Sequence, residues 1–497
     1  MAVSLLAAGP APLRDPTALR TALDRVGYRV GPLGDLLGVH EELSARPADL
    51  VVHQRRLAAS PGPLAAVVAL FALSWPVPAD RVVAALGAEV VATLSDAEVL
   101  VEADGALSAT IRVMPHGDLW VASDRRPGAG DPTDPEHVTG VNAPAGLLAN
   151  LTVRRPIGSA LDVGTGNGIQ ALLAAGHAQR VVATDVNPRA LAFTRFNAAL
   201  NGLTTIECRE GSLFDPVAAE RFDLVVCNPP YVISPETEFV YRDSGAEPGA
   251  LCRAVVSGIP DHLAAGGYAT VLVSWPSDPD GDWSDVPRSW LAPGVDAWLL
   301  HHRAEDPLTH AAKWNRPVAE QDVGAYAEAV DRWTAYDDDR GIRQVSFGAV
   351  VLRAAADGPG FVRCDHLPSG ATAAGPQIER VFAAQDDLLA DGSGLLDRRL
   401  RLAPGHRLEQ HLGCVDGEWQ LLSAELSLDE GIGFRGTLDV LMVQVLVAMD
   451  GSRTVHEAAA AAARGTALPA EEWPALEEAA STMAVGLYAL GLLEPAS

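Results

Sequence analysis

Three short stretches of this 497-residue chain hold residues whose types and spacing could do chemistry. The first is Leu161-Asp-Val-Gly-Thr-Gly-Asn-Gly168, an acid followed by alternate glycines. Glycines at 164, 166 and 168 let the backbone turn tightly and approach a ligand where a side chain would collide. Asp162 can accept hydrogen bonds from a cationic or hydroxyl group, and Thr165 stands inside the same turn. The second is Val182-Ala-Thr-Asp-Val-Asn-Pro188, which puts Asp185 and Asn187 a short way downstream. An acid at Asp185 is placed to take both hydroxyls of a ribose. The third is Phe222-Asp-Leu-Val-Val-Cys-Asn-Pro-Pro-Tyr231. Here the Asn228 side-chain carbonyl and the Pro229 main-chain carbonyl are two acceptors that a Pro-Pro turn can hold on one side of a cleft. A planar NH₂ group donating to both would have its lone pair drawn out of conjugation toward an electrophile, by positioning and electrostatics, with no strong base needed. Tyr231 can stack on a flat acceptor.

Such residues need strands that end at them. From Ala143 to about Ala355 the sequence alternates strand and helix patterns. Strands are expected at Ala160–Gly164, Val181–Asp185, Thr205–Arg209, Asp223–Asn228, Tyr268–Trp275, Ala297–His301 and Val345–Arg353. Helices are expected at Gly168–Gly176, Pro188–Asn201 and Ala250–Ala264. This alternation predicts an α/β domain whose parallel sheet is covered on both faces, with ligands bound beyond the carboxyl ends of the strands.

The glycine spacing argues against a nicotinamide cofactor. Dinucleotide binding expects GxGxxG and a helix N-terminus facing a pyrophosphate. Asp162 beside the loop would repel that group but suits an amino-acid ammonium. S-adenosylmethionine carries an ammonium and a ribose and no phosphate.

Around this block the pattern changes. Upstream, helices are expected at Thr17–Val26, Leu50–Ala59, Pro63–Leu73 and Ala79–Leu86, followed by alternating segments near Val99, Ala109 and Leu119. That order suggests a small winged-helix-like module, and the Pro- and Gly-rich Asp124–Pro135 reads as a linker. Residues 1–150 carry 11 Arg against 17 Asp and Glu, so a nucleic-acid role for this module is weakly supported; a scaffold or lid on the next block is the simpler reading. Downstream of about Cys364, turn-rich sequence leads to helices at Thr437–Met449, Thr454–Ala463 and Ala470–Leu492, a second winged-helix-like unit. The divisions expected are 1–137, 138–355 and 356–497.

Composition bounds the function. The net charge of −27 repels phosphate polymers and anionic membranes at long range. Five scattered cysteines without CxxC or Cys/His spacing support neither a zinc site nor a disulfide framework, so no metal is expected and a reducing cytoplasm fits. No apolar run reaches the roughly 20 residues of a membrane-spanning helix.

The segment from about Val138 to Arg353 resembles class I S-adenosylmethionine-dependent methyltransferases of the Asn-Pro-Pro-Tyr type. It is similar to HemK-like protein-glutamine N-methyltransferases and to the base-amino methyltransferases of RNA and DNA, on Asp162, Gly164, Gly166, Gly168, Asp185 and Asn228-Pro-Pro-Tyr231. The resemblance implies a Rossmann-like seven-stranded sheet whose last strand, Val345–Arg353, is antiparallel. It also implies that S-adenosylmethionine lies on Asp162–Gly168, Asp185 and Asn187, and that Asn228, Pro229 and Tyr231 are catalytic. One departure stands at the adenine. Many relatives carry an acid after the third strand, whereas Gly211-Ser-Leu-Phe-Asp215 offers Ser212, the Leu213 backbone or a displaced Asp215.

Further candidates are Arg242 and Asp243 as substrate contacts or a capping turn, Trp275 as a stacking wall or a core aromatic, and Asn142 over the cofactor. His301 and His302 read as a solvated pair. The acceptor stays open between an RNA or DNA base and a glutamine of a protein, with RNA or a ribosome-associated protein as partner. A biosynthetic N-methyltransferase for a small molecule and a regulator that senses S-adenosylmethionine are the alternatives.

Overall fold

The computed structural model describes residues 9–39, 47–126, 134–236, 247–319, 322–355 and 360–496. Two compact units emerge, one of Met1–Gly146, Pro156–Ala292 and Arg303–Ala356, the other of Leu147–Arg155, Pro293–His302 and Asp357–Ser497. The N-terminal block therefore falls in the same unit as most of the α/β block.

The sheet has eight strands, one more than the seven expected: β1 (Ile157–Val163), β2 (Ala178–Asp185), β3 (Ile206–Glu210), β4 (Phe222–Cys227), β5 (Leu263–Ser277), β6 (Val295–Glu305), β7 (Gln344–Ala354) and β8 (Val362–His366). In the first unit the order is β7-β5-β4-β1-β2-β3. Neighbours from β5 to β3 are parallel, and β7 is antiparallel to β5 over Tyr268–Ser277, the orientation expected of Val345–Arg353. The central strands β1, β2, β4 and β5 are apolar on both faces, as a sheet sandwiched between helices requires. The chain runs outward from β1 through β2 to β3, then returns to place β4 on the other side of β1. That reversal opens a crevice at the carboxyl ends of β1 and β4, where Asp162–Gly168 and Asn228–Tyr231 begin.

The helix α1 (Pro188–Leu200) joins the N-terminal block to the sheet. Asn187 caps it by accepting from the Arg189 N–H at 2.9 Å, and Pro188 fills its first turn. Ala190, Phe193, Phe196 and Leu200 pack into the same core as Leu23, Tyr28 and Trp120. Its polar residues meet the hairpin Ile111–His116/Leu119–Asp124. Asn197 accepts from the Ala122 N–H at 2.7 Å and donates to the Ala122 carbonyl at 2.9 Å; Asn201 does the same for Trp120 at 2.9 and 2.7 Å. Four residues of helix rise about 6 Å and two residues of strand about 6.6 Å, so two asparagines four apart match two strand residues two apart. Arg189 and Asp124 form a buried bidentate pair, with Nε to Oδ2 at 2.9 Å and Nη2 to Oδ1. Asp124 is thus a buried anchor at the end of a strand, and the expected linker does not begin there.

Other expectations shift. The N-terminal block gains the helices Val30–Leu37 and Ala88–Asp96, and its strands pair as a three-stranded sheet and the separate hairpin. The helix expected over Ala250–Ala264 stops at Gly258, because Pro260 cannot continue it, and β5 begins at Leu263. Among the helices not anticipated are α2 (Pro307–Trp314), capped by Asp306, and Val323–Asp339, capped by Asp322.

The second unit contains the parallel pair β6 and β8, with Ala297 opposite Val362 and His301 opposite His366. Its C-terminal helices are Gly375–Asp391, Val440–Ala448, Val455–Gly465 and Trp473–Ala489. Thr454 and Glu457 form a reciprocal capping box on the third. Ala458, Ala459, Ala462 and Ala463 of its alanine run are buried in one core, the close packing their small size allows. A long hairpin, His406–Val415 with Glu418–Leu428, leaves Leu412, Trp419 and Leu422 exposed.

Candidate functional site

A cleft of about 300 Å³ opens at the crevice between β1 and β4. Asp162, Gly164, Thr165, Gly166, Asp185, Asn187, Ser212, Leu213, Asn228, Pro229 and Tyr231 all line it, and so does Asn142. The turn after β1 has Gly164 at φ +69° and Gly166 at φ +57°. A Cβ at either position would meet no protein atom within 4 Å. Glycine is needed there for the backbone conformation, which leaves the cleft open beside the turn. Gly168, at φ +84°, is different: it does not line the cleft, and its Cβ would lie 2.9 Å from Thr194 on α1. Its role is close helix packing.

Asp162 is buried, and its Oδ2 accepts from the Thr165 hydroxyl at 2.6 Å and the Ala171 N–H at 3.0 Å. Burial pushes its carboxyl up to about 7, against the pull of those two hydrogen bonds. Asp185 accepts from the Gly166 N–H through Oδ2 and from the Asn187 N–H through Oδ1, both at 2.9 Å. Burial raises its pKa as well, opposed by these backbone donors. Both acids therefore brace the loops that form the cleft. Asn187 caps α1 and donates to the Glu136 carbonyl at 2.9 Å, tying the pre-strand segment to the site. Asn142 likewise caps the helix Ala143–Asn150, accepting from the Ala145 N–H at 3.1 Å.

After β3, Gly211 adopts φ +151° where a Cβ would strike Pro216 at 2.5 Å, and Leu213 takes the left-handed region at φ +46°. This turn presents Ser212 and Leu213 to the cleft, while Asp215 starts a short 3₁₀ helix and is not among the lining residues. At the end of β4 the Asn228 Oδ1 is buried and has no hydrogen-bond partner. The motif behind it is held firmly: the buried Ser274 hydroxyl of β5 donates to the Tyr231 carbonyl, and the Tyr231 ring meets Phe347 edge-on at 6.4 Å. Burial pushes the Tyr231 hydroxyl up to about 12, so it stays protonated and is no base.

The remaining candidates stand apart. Trp275 is buried with Trp283 and Trp290 and donates to the Trp283 carbonyl at 3.0 Å, so it is a core aromatic and no wall of the cleft. His301 and His302 are partly buried inside β6 rather than solvated beyond it, with His301 Nδ1 at 3.2 Å from His366 Nδ1. Arg242 and Asp243 lie outside the described residues. The sequence reading missed the second layer: Thr194 donates to the Gly166 carbonyl at 3.1 Å, Asn197 to the Asn167 carbonyl at 2.8 Å, and Asn167 to the Thr139 carbonyl at 2.9 Å. Polar residues at Thr194 and Asn197 within the apolar stretch of α1 were the available signal. It also missed Trp314, at the end of α2, which lines the cleft.

Residues 142–243 match the family model described as the methyltransferase small domain. The matched stretch takes in β1 to β4 and the Asn-Pro-Pro-Tyr turn. Among curated relatives, a release factor glutamine methyltransferase of Xylella fastidiosa is 33% identical over 23% of this chain and 46% of its own length. One from Geobacter sulfurreducens is 37% identical over 22% and 43%. A ribosomal protein uL3 glutamine methyltransferase of Bordetella pertussis is 32% identical over 29% and 54%. The chain spans about half the length of these relatives. Among the described residues, no helix is long and apolar enough to cross a membrane.

Proposed function

We propose that this protein methylates the side-chain amide nitrogen of a glutamine in a protein substrate, using S-adenosylmethionine. The observation that carries this reading is the buried, unpartnered Asn228 Oδ1 in a cleft bounded by two acid-braced glycine and asparagine turns. A buried acceptor without a donor has lost its hydration and gains most from a ligand that supplies one. The names of the relatives favour a protein glutamine, and the charge of −27 favours it over a nucleic-acid base. The reading takes β1 to β7 as the seven-stranded methyltransferase framework, with β8 an addition. The divisions 1–137, 138–355 and 356–497 and the winged-helix-like modules belong to the same proposal, as does a cytoplasmic, ribosome-associated protein as partner.

The cleft suits the cofactor. Asp162 is a buried carboxyl ready to be ionised by an ammonium, Asp185 has carboxylate lone pairs for ribose hydroxyls, and Gly164 and Gly166 leave room beside the turn. Ser212 and the Leu213 backbone are the groups available to adenine. When bound, S-adenosylmethionine supplies a methyl group activated on a sulfonium. Asn228 Oδ1 and the Pro229 carbonyl accept the two N–H groups of the acceptor amide and hold its lone pair out of the amide plane. One of those N–H protons leaves to water as the nitrogen gains its new bond, and Tyr231 packs against the planar group. Mass spectrometry of glutamine-containing tryptic peptides from a deletion strain tests the reading: one peptide lacking a methyl group is expected, and loss of a methyl group from RNA alone would overturn it.

Two expected results follow from the acids. Asp185→Ala removes the ribose acceptor together with the carboxylate that braces Gly166 and Asn187. Affinity for S-adenosylmethionine should fall by about 1.5–3 kcal/mol, roughly ten- to a hundredfold. Calorimetry giving wild-type affinity would remove Asp185 from the site. For Asp162 the sign runs with pH. Its free-state pKa of about 7 means that it is largely protonated in mild acid, and an ammonium favours the ionised form. Affinity should therefore rise as pH climbs through about 7, then decline as the cofactor α-amino group loses its proton near ~8. Calorimetry across this range should give that bell, and Asp162→Asn should abolish its acid limb; a flat wild-type profile would refute the role.

A further inference from the structure

Among the described residues, two that line the cleft have a buried side-chain polar atom with no hydrogen-bond partner, and the two atoms are chemically opposite. Asn228 Oδ1 is an acceptor. Trp314 Nε1 is a donor and nothing else.

Trp314 reaches the cleft through α2. One turn earlier His310 is fully buried, with Nε2 at 2.9 Å from the Ile233 carbonyl, two residues past Tyr231. Residues four apart share a helix face, so the helix is pinned to the segment after the motif on the face that carries Trp314. The Trp314 ring packs against the buried cluster of Val232, Ala311 and Trp333 and lies 6.3 Å from the His310 ring, which fixes its position without a partner for its N–H.

A primary carboxamide carries the complement of both atoms, an N–H for Asn228 and a carbonyl oxygen for Trp314. We infer that Trp314 is a specificity-determining residue, donating its indole N–H to the carbonyl oxygen of the acceptor carboxamide. This inference rests on the amide-methylating function proposed above and adds the group that reads the other end of the amide. Its energetic character differs from that of Asn228. As the nitrogen pyramidalises, amide resonance fades and negative charge drains from the oxygen, so the contact to Trp314 is at least as strong in the ground state as in the transition state. It acts on acceptor binding and not on the chemical step. A site built to bond a carbonyl also rejects acceptors that lack one, because its buried donor is left unpaired.

The test measures methyl transfer to N-acetylglutamine amide and to the peptide found by the deletion-strain experiment, together with S-adenosylmethionine affinity by calorimetry. Trp314→Phe keeps the ring and removes the N–H. It should raise KM for the acceptor about tenfold, with kcat within about twofold and unchanged cofactor affinity. Trp314→His, which keeps a ring N–H, should recover part of the acceptor affinity. An unchanged KM in Trp314→Phe overturns the inference and leaves amide methylation standing. Weakened cofactor affinity with normal acceptor KM overturns it by assigning the N–H to the cofactor. If the wild-type protein methylates neither carboxamide, the proposed function fails and the inference falls with it.

Discussion

Asn228→Ala should lower kcat by about 10²–10³, while affinity for S-adenosylmethionine changes little. The side chain ends in an acceptor that is buried and unpaired. Its interaction with an acceptor N–H strengthens as the nitrogen becomes tetrahedral and cationic, so it is worth more in the transition state than before it. Removal of one such preorganised polar group typically costs about 2.7–4 kcal/mol of barrier, which is the stated fall in rate. Asn228→Asp keeps an acceptor in the same place and should retain partial activity. Single-turnover measurements separate the step from binding and release. Wild-type turnover in Asn228→Ala, or a product methylated on carbon or oxygen, would end the mechanism.

The second large effect concerns stability, at the buried pair of Asp124 and Arg189. Both side chains are less than a tenth exposed, and Asp124 also accepts from the Val138 N–H at 2.8 Å. Asp124→Ala strands the Arg189 guanidinium and the Val138 N–H together, and loss of one partner of a buried ion pair costs about 3–5 kcal/mol. That is a large share of the ~5–15 kcal/mol by which domains are usually stable. Denaturant unfolding should show it directly. Cofactor affinity should fall too, because α1 carries the Thr194 and Asn197 side chains that hold the glycine turn. Asp124→Ala combined with Arg189→Met replaces both charges by apolar groups and should regain much of the loss. An unfolding midpoint in Asp124→Ala equal to that of the wild type would show the pair to be dispensable.

The core of the fold was legible because β1, β2 and β4, buried on both faces, read as continuous apolar runs, each running into a glycine, acid or asparagine at the cleft. The cleft residues themselves were legible because backbone demands, positive φ at Gly164 and Gly166 and a Pro-Pro turn at 229, limit which residue types can stand there. The acids were read only in part. Asp162 and Asp185 each hold loop backbone as well as facing the cleft, and local spacing cannot separate the two roles. Some signals were present and unused: Asp306-Pro307 is an N-cap followed by a first-turn proline, and it opens α2. Others were out of reach. Asp124 sits in sequence that composition marks as loop, and only Arg189, 65 positions away, explains its burial. The pair of histidines reads as solvated until pairing with β8 extends β6 through them.

The asparagine clasp on the Leu119–Asp124 strand also bears on aggregation. The outward N–H and C=O groups of Trp120 and Ala122 form the kind of open edge to which a foreign strand can add, and Pro115, with no N–H to offer, stands opposite Trp120. Asn197 and Asn201 occupy all four of those groups. The hairpin edge is thereby closed to templated growth by side chains of a helix and without a further strand. Because the contacts are to main-chain atoms, they place no demand on the side chains at 120 and 122, which answer to the core instead.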